Sequence, residues 1–380
     1  MDFALSEELT LVRDMARDFA RNELQPRAKG HDAGERIDPE VFAKITELGL
    51  WGLTVPESYG GSGLGNLALA VVLEELNWAC ASTGVTVSVH NSLVCAPILK
   101  WGSTAQKERW LPRLASGEIL GAYSLSEAGS GSDAAALRAT ASRDGDSWIL
   151  EGTKMWVTSG DIAGLLIAYM RSDPDVPKAK GITAFLVPTD TLGFHVGKKE
   201  KKTGIRGSST VELIFDHVRV GPEAVLGQME RGFTIALDTL DGGRIGIASQ
   251  AVGIGRACLE ASILYSKQRE QFGVPIGSFQ AIQWKLADMS AQLEAARLQV
   301  HRAAWLRDRG EPCSREAAQA KLFASRVANA CADECLQIHG GAGYTDDFHV
   351  ERLFRDARIT EIYEGVTDIL RLVIARSLLA

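Results

Sequence analysis

The residues with the clearest capacity for chemistry lie near the C-terminus, where Glu364 stands between Tyr363 and Gly365 just before an apolar helical pattern. Gly365 permits a sharp backbone bend, Thr367 is placed to cap the following helix, and Asp368 suits the positive first turn of that helix. These residues predict that Glu364 lies at an elbow, where partial desolvation would raise its pKa and make it a better proton acceptor. We interpret Glu364 as a candidate catalytic base, although an exposed loop glutamate would fit the same residues.

Two further segments carry groups suited to binding a planar heterocycle. They are residues 123–133, Tyr-Ser-Leu-Ser-Glu-Ala-Gly-Ser-Gly-Ser-Asp, and residues 152–160, Gly-Thr-Lys-Met-Trp-Val-Thr-Ser-Gly. Hydroxyl and amide groups can hold the edge of a ring system, and an indole can cover its face. A turn with two buried serines would have a similar composition, so each segment alone leaves both interpretations open.

Several cofactor classes lack their sequence signals. No G-x-G-x-x-G stands between a strand and a helix and no G-x-x-x-x-G-K-[ST] occurs, which disfavours nicotinamide and nucleoside triphosphate cofactors. The seven histidines show no H-E-x-x-H spacing and the six cysteines no C-x-x-C pair. We therefore expect no metal site and reduced thiols in a cytoplasmic location.

The charge and apolar content of the sequence disfavour nucleic-acid binding, a membrane span and export. The net charge of −7 disfavours nucleic acid, whose binding depends on Lys and Arg. The most apolar window, 67–89, is interrupted by Glu74 and Glu75, so we expect no membrane span. Acids stand at the N-terminus where a secretory signal would carry basic residues, so we expect no export.

The periodicity of apolar residues divides the 380-residue chain into three parts. Residues 1–120 show helical patterns, with one predicted helical stretch at about 66–99. Residues 121–230 contain apolar, β-branched runs at 148–150, 165–170, 181–187 and 211–215, separated by turn formers. Residues 231–380 return to helical patterns, at about 233–268, 278–309, 314–338, from 349, and 367–379. The expected fold class is therefore α+β, with a helical domain, a β domain and a helical bundle.

Two local features leave alternatives open. Small residues at 248, 251, 253, 255 and 257 suit close helix packing. The run Lys198 to Lys202 suits either a solvated loop face or a phosphate contact.

A series of ordered blocks covers essentially the whole chain and resembles the acyl-CoA dehydrogenase family, most closely its short-chain, butyryl-CoA-like branch. Besides residues 123–133 and 152–160, the blocks are Gly-Ile-Arg-Gly-Ser-Ser at 204–209, Asp-Gly-Gly-Arg-Ile-Gly-Ile-Ala-Ser-Gln at 241–250, Arg-x-Gln-Phe-Gly at 269–273, Gln-Ile-His-Gly-Gly-Ala-Gly-Tyr at 337–344 and Ile-Tyr-Glu-Gly at 362–365. The resemblance implies an N-terminal all-α domain (1–120), a middle β-barrel or sandwich domain (121–230) and a C-terminal four-helix bundle (231–380).

The resemblance also implies FAD as the cofactor. In such enzymes the residues that line the flavin match Tyr123, Leu125, Ser126, Gly131, Ser132, Trp156, Val157 and Thr158. The residues that hold the pyrophosphate and adenosine of a neighbouring subunit's FAD match Arg269, Phe272, Gln280, Gln337, Gly340 and Gly341, which implies a homotetramer. Val366, Thr367 and Asp368 complete the implied FAD set, but relatives often carry threonine where Val366 stands, so that hydroxyl contact is absent here.

For the substrate, the resemblance implies an acyl-CoA bound by Ser132, Asp241, Gly242, Gly243, Arg244 and Gly365. Without the family, Arg244 fits a bundle salt bridge equally well. Some relatives place the base next to this arginine, as Glu-Arg. Here Gly243 precedes Arg244, which leaves Glu364 without a rival.

The implied activity is α,β-dehydrogenation of a short- or branched-chain acyl-CoA to the trans-2-enoyl-CoA, a reaction of fatty acid β-oxidation. Glu364 would take the α proton, FAD the β hydride, and an electron-transferring flavoprotein the electrons. An acyl-CoA oxidase on the same fold and a non-catalytic flavoprotein or assembly partner remain alternative interpretations.

Overall fold

The computed structural model describes residues 3–380, in the order helices, sheet, helices. The first helical part contains α1 (Glu7–Phe19), α2 (Ala28–Ala33), α3 (Pro39–Glu47), α4 (Gly65–Ala79), α5 (Ala81–Ser88), α6 (Ala96–Trp101) and α7 (Thr104–Ala115). π-helical turns at Ala20–Leu24 and Val89–Cys95 continue α1 and α5. Capping sets some starts: the Ser6 hydroxyl accepts from the Leu9 N–H at 3.2 Å, and Ser103 forms a capping box with Gln106.

The helical patterns predicted at about 66–99 are present, with one interruption at Cys80. Cys80 is extended, with φ −149° and ψ 101°, and separates α4 from α5. The residues after it, Ala-Ser-Thr-Gly, include Ser, Thr and Gly, which favour helix interiors less than straight-chain residues do. A buried Asn77 side chain fills the space where Gly84 has no Cβ, so packing favours the break.

The middle part is an eight-stranded sheet whose strands are β1 (Leu120–Ser124), β2 (Thr140–Asp144), β3 (Ser147–Thr158), β4 (Ala163–Arg171), β5 (Ile182–Pro188), β6 (Phe194–Lys199), β7 (Thr210–Val220) and β8 (Val225–Leu226). The sheet divides into two leaves, β6-β7-β3-β2 and β1-β4-β5-β8. Between the two leaves, β2 and β4 pair at Thr140 and Arg171. The arrangement is therefore a sandwich, in agreement with the predicted β domain.

The two faces of β4 explain its continuous apolar sequence. Leu166, Ala168 and Met170 pack in the core between the leaves, together with Trp148 of β3. Leu165, Ile167 and Tyr169 point to the opposite face and pack on α6 and α7. A strand buried on both faces has no alternation of apolar and polar residues.

The second helical part contains α8 (Gly232–Gln268), α9 (Gln280–Asp308), α10 (Ser314–His339), α11 (Val350–Ile359) and α12 (Thr367–Leu379). A two-stranded hairpin, β9 (Glu270–Gln271) and β10 (Val274–Pro275), follows α8. α10 packs on α8, α9, α11 and α12, which places it at the centre of this part. These bounds agree closely with the helices predicted from the sequence.

The small residues of α8 serve close packing, as predicted from the sequence. A Cβ on Gly253 would lie 2.5 Å from the carbonyl oxygen of Glu74 on α4. Within the lysine run, Lys199 donates to the Glu35 carbonyl at 2.8 Å and Lys202 to the Ser208 carbonyl at 2.7 Å. Among the described helices none is long and apolar enough to cross a bilayer.

Candidate active site

The segment between α11 and α12 forms the elbow predicted around Glu364. Glu364 and Gly365 both have left-handed backbone conformations, with φ +54° and +100°. Such a φ is uncommon for a residue with a Cβ. Val366 is the N-cap of α12 and Thr367 its first helical residue, so the prediction that the Thr367 side chain caps this helix is wrong. The Thr367 N–H donates instead to the Glu361 carbonyl at 3.2 Å, which closes the elbow through the backbone.

The elbow directs the Glu364 side chain against α8. A Cβ on Gly243 would lie 2.5 Å from Glu364 Oε2 and 2.9 Å from Leu93 Cδ2. Although Glu364 as a whole is half-buried, Oε2 is sealed from solvent and has no hydrogen-bond partner among the described residues. Burial raises the pKa of this carboxyl to about 7, while the positive charges of Arg244 and Lys321 oppose the rise. The absence of a side chain at Gly243 therefore provides the space for Oε2.

Arg244 lies on α8 beside the elbow. Its Nη1 donates to Asp241 Oδ1 at 2.8 Å, one turn earlier on the helix, and the Ser314 hydroxyl also donates to Asp241. Its Nε is buried without a partner and lies 3.9 Å from the position of a Cβ on Gly365. Both interpretations of Arg244 are compatible with this geometry, since one face makes a salt bridge and the other offers a donor to the site.

The backbone of the elbow contributes a donor as well. Within residues 3–380, the Glu364 N–H donates to no acceptor. An unpaired N–H next to an unpaired carboxylate oxygen is the pair of groups needed to bind a carbonyl and remove a neighbouring proton.

Two residues that support the elbow were not predicted from the sequence. Lys321 on α10 is fully buried, and its Nζ donates to the Gly365 carbonyl at 2.7 Å. Gln250 on α8 accepts a hydrogen bond from the Tyr363 hydroxyl and donates to the Ala81 carbonyl at 3.1 Å. A signal for Lys321 was present, because it lies in a run of alanines at 317, 318, 320 and 324 on the buried face of α10.

The predicted ring-binding residues come together at the edge of the sheet. The segment after β1 meets the end of β3 through a hydrogen bond from the Met155 N–H to the Ser126 carbonyl, 2.9 Å long. Trp156 has φ +56° and leaves 52% of its surface exposed, so its indole is available to a ligand. Thr158 pairs with Thr210 on β7, and Leu125 and Val157 are buried beneath this edge.

The chemistry of this edge fits a planar cofactor. The hydroxyls of Ser124, Ser208 and Ser209 are buried without partners among the described residues. Gly131 has open space where a Cβ would point, and Ser132 beside it is exposed. Unpaired polar groups around an exposed indole are the groups that a heterocycle with several heteroatoms would satisfy.

A buried ion pair, also missed, joins the two ring-binding segments. Lys154 Nζ lies 2.8 Å from Glu127 Oε1 and donates to the Leu125 carbonyl at 3.2 Å. The Glu127 carboxylate also accepts from the N–H groups of Arg138 and Ala139, at 2.7 and 2.9 Å. Burial lowers the pKa of Lys154 to about 8, and the charge of Glu127 opposes that fall.

Tyr123 connects the sheet to the elbow. Its ring packs on Tyr169 with centroids 5.2 Å apart. Burial raises the pKa of the Tyr123 hydroxyl, and the negative charge of Glu364 raises it further. Tyr123 therefore lies between the core beneath the sheet and the helical core against which Tyr363 also packs.

The remaining predicted residues lie elsewhere. Arg269, Phe272, Gln280, Gln337, Gly340 and Gly341 are all exposed. Tyr265 stacks on His339 with centroids 4.2 Å apart, which holds the C-terminal ends of α8 and α10 together. Gly340 and Gly341 have open space at their Cβ positions. In the described part of the chain, no recorded hydrogen bond or ring contact joins these six residues to the elbow.

Residues at the start of α12 lie beside the site. Val366 and Thr367 are half-buried, whereas Asp368 is exposed and pairs with Arg371. Gly242 is buried on α8, where a Cβ would lie 3.3 Å from Arg307 Nε. Residues 3–380 contain no group of three or more His, Cys, Asp or Glu placed to hold a metal ion.

Three parts of the chain match the domain models of one protein family. Residues 6–118, 122–218 and 230–379 match the models for the N-terminal, middle and C-terminal domains of acyl-CoA dehydrogenase. The chain is 48% identical over 375 residues to the mitochondrial short-chain specific acyl-CoA dehydrogenase of Bos taurus, covering 99% of this chain and 91% of that protein.

Two solved structures have the same fold. The butyryl-CoA dehydrogenase from Megasphaera elsdenii superposes with a TM-score of 0.98 at 41% identity, over 100% of both chains. A chain solved in a study of the electron transferring flavoprotein of Acidaminococcus fermentans superposes with a TM-score of 0.98 at 43% identity, also over 100% of both chains.

Proposed function

The chain belongs to the acyl-CoA dehydrogenase family and is an oxidoreductase that acts on acyl-CoA, and from this premise we propose that it is an FAD-dependent dehydrogenase of short- or branched-chain acyl-CoA with Glu364 as its catalytic base. The product would be the trans-2-enoyl-CoA. Similarity over nearly the full chain to short-chain and butyryl-CoA dehydrogenases supports the substrate class.

One observation carries the assignment of the base. Glu364 Oε2 is buried, has no hydrogen-bond partner among the described residues and rests against a glycine. Its pKa of about 7 keeps a large fraction ionised at neutral pH while making it a stronger base than an exposed glutamate. Leaving a buried carboxylate unpaired costs free energy. Such a cost is a reason to assign the carboxylate a function.

The proposed mechanism follows from the acidity of a thioester. A proton next to the thioester carbonyl can be removed when the developing negative charge on that oxygen is stabilised. The Glu364 N–H, which has no acceptor among residues 3–380, would donate to this oxygen, and Oε2 of the same residue would take the α proton. Arg244 Nε adds a fixed positive charge beside the site for the CoA ester.

FAD, when bound, supplies the acceptor for the β hydride. Leu125, Ser126 and Thr158 would hold the edge of its ring and Trp156 would cover a face. Arg269, Phe272, Gln280, Gln337, Gly340 and Gly341 of a neighbouring copy would hold its pyrophosphate and adenosine. Arg269 offers a bidentate phosphate contact and the glycines allow close approach of backbone N–H groups.

We also propose an electron-transferring flavoprotein as the electron acceptor, because a chain of the same fold was solved in a study of such a protein. The six cysteines are free and buried, which supports a cytoplasmic setting. An acyl-CoA oxidase remains the second candidate, and oxygen consumption in place of dye reduction would identify it.

The Glu364→Gln variant tests the proposal. Glutamine preserves the shape of the side chain but cannot accept the α proton, so FAD and acyl-CoA should bind normally while anaerobic flavin reduction slows by roughly 10²–10⁴-fold or more. Stopped-flow absorbance with C4 to C8, branched and cyclic acyl-CoAs measures this and ranks the substrates. Near-normal reduction by Glu364→Gln would rule out the base assignment, and a protein that no acyl-CoA bleaches would favour a non-catalytic flavoprotein.

A further inference from the structure

Lys321 occupies an unusual position behind the elbow. It lies in the middle of α10, its side chain is fully buried, and its Nζ donates to the Gly365 carbonyl at 2.7 Å. Gly365 directly follows Glu364, so this hydrogen bond joins the core helix of the bundle to the residue after the candidate base. Burying an ammonium group is costly, and a hydrogen bond to one neutral carbonyl offsets only part of that cost.

We propose that Lys321 is a positioning residue for proton abstraction, holding the left-handed elbow through the Gly365 carbonyl and setting the charge state of Glu364 through its own positive charge. This inference rests on the proposed function, since it concerns the same carboxylate.

The backbone of the elbow explains the need for such support. Glu364 has φ +54° and Gly365 φ +100°, so two consecutive residues are left-handed. A residue with a Cβ keeps this conformation only where surrounding contacts impose it. The hydrogen bond from Ile362 N–H to the Ile359 carbonyl, 2.8 Å long, holds the chain before Glu364, and that from Thr367 N–H to the Glu361 carbonyl holds it after. Lys321 holds the carbonyl between them.

The second part of the proposal concerns charge. The Lys321 ammonium lowers the pKa of Glu364, and the Glu364 carboxylate in turn raises the pKa of Lys321 against the dominant effect of burial. Burial wins for Lys321, whose pKa falls to about 7. Both groups therefore titrate near neutral pH, and each stabilises the ionised form of the other.

The other charged and titratable groups around the pair come from several elements. They are Arg244 on α8, Tyr123 on β1, and Glu361 and Tyr363 from the elbow segment itself. Arg244, like Lys321, places a positive charge beside Glu364 that lowers the pKa of its carboxyl. Removing Lys321 alone should consequently raise the pKa of Glu364 without neutralising its whole environment, and the base would become ionised only at higher pH.

Three holoenzyme variants separate these roles. Lys321→Met removes the charge and the hydrogen bond, and Lys321→Arg keeps the charge. Lys198→Met is the control, because the Lys198 side chain is exposed and pairs with the nearby Glu200. Each is assayed for FAD content, melting temperature and the rate of anaerobic flavin reduction by butyryl-CoA between pH 5.5 and 9. Difference infrared spectroscopy of the carboxyl C=O stretch, with Glu364→Gln as the blank, follows Glu364 protonation independently of turnover.

We expect Lys321→Met to slow flavin reduction by about 10- to 100-fold, as displacement of a reacting group by about 1 Å does. The acidic limb of the plot of reduction rate against pH, and the infrared titration of Glu364, should both move to higher pH. In Lys321→Arg the acidic limb of the rate plot should stay near its original pH. Lys198→Met should match the parent protein in FAD content, melting temperature and reduction rate.

An unchanged Glu364 titration and an unchanged rate in Lys321→Met would overturn the proposal. A slower rate with an unmoved titration would show that Lys321 supports the fold but does not set the charge of the base, which also contradicts it. If Lys321→Met does not fold, Lys321→Gln tests the effect of the charge, since glutamine keeps an amide donor but has no charge; an unmoved Glu364 titration in that variant would overturn the proposal. Failure of the proposed function is distinguishable, because only in that case does Glu364→Gln reduce its flavin normally.

Discussion

Glu364 and Gly243 form a pair in which each residue type depends on the other. The carboxylate oxygen Oε2 lies where a Cβ on Gly243 would come within 2.5 Å of it. A side chain at position 243 and the glutamate at 364 therefore compete for the same space. This steric competition explains why an acid can occupy position 243 or position 364 but not both.

The pair predicts the effect of Gly243→Ala. The added methyl group should displace the Glu364 carboxylate, because the new Cβ would lie 2.5 Å from Glu364 Oε2 and 2.9 Å from Leu93 Cδ2. Flavin reduction should slow by roughly 10- to 100-fold at nearly unchanged FAD content. Stopped-flow absorbance measures the rate. The control is Gly30→Ala in α2, where nothing lies within 4 Å of an added Cβ. Equal rates in the two variants would contradict the steric explanation.

At the scale of elements, the ion pair of Lys154 and Glu127 fastens β3 to the segment that follows β1. Lys154 is fully buried and Glu127 nearly so, and the carboxylate also accepts two backbone N–H groups. Removing one partner of a buried pair leaves the other charge unpaired, which costs more than the pair itself contributes. The ring-binding edge therefore depends on this contact for its shape.

We predict that Lys154→Met lowers the free energy of unfolding by about 3–5 kcal/mol and weakens FAD binding. Arg219→Met, which breaks an exposed pair with Asp144 on the same sheet, should cost less than about 1 kcal/mol. Urea unfolding and FAD titration measure both effects. The double variant Glu127→Gln/Lys154→Met should be less destabilised than the sum of the single changes. Simple additivity in this cycle would show that the two groups do not act as a pair.

At the scale of the whole molecule, the predicted FAD-binding residues form two separate surfaces. One contains Trp156 and Thr158 at the end of β3. The other carries Arg269, Gln337 and the glycines of 340–341, all exposed at the joined ends of α8 and α10. We propose that each surface is one part of an FAD site, and that a homotetramer completes each site by bringing the second surface of one copy to the first surface of another.

This arrangement predicts that Arg269→Ala loses FAD although Arg269 lies far from the chemistry in sequence and makes no contact with the elbow. The purified variant should contain at most a small fraction of the parent FAD and dissociate more readily on dilution, since the cofactor would bridge the copies. Size-exclusion chromatography with light scattering and flavin absorbance measures both. Arg36→Ala, at another exposed arginine, is the control. Full FAD content in a monomeric Arg269→Ala protein would rule out the shared site.

Much of this protein was predictable from its sequence. Local patterns determined the long helices, because apolar periodicity and capping act within a few residues, and the apolar runs located the central strands. The glycine after Glu364 predicted the elbow for the same reason. The family blocks indicated the chemistry, and the matches over the full chain confirmed the family.

Tertiary structure decided what depends on residues far apart in the chain. It broke the helix at Cys80, divided the sheet into two leaves, and gave Thr367 a backbone role in place of a cap. It also placed Lys321 behind Gly365 and Gly243 against Glu364. The pKa of Glu364 follows from these long-range contacts, because desolvation depends on what packs around a carboxylate and not on its neighbours in sequence.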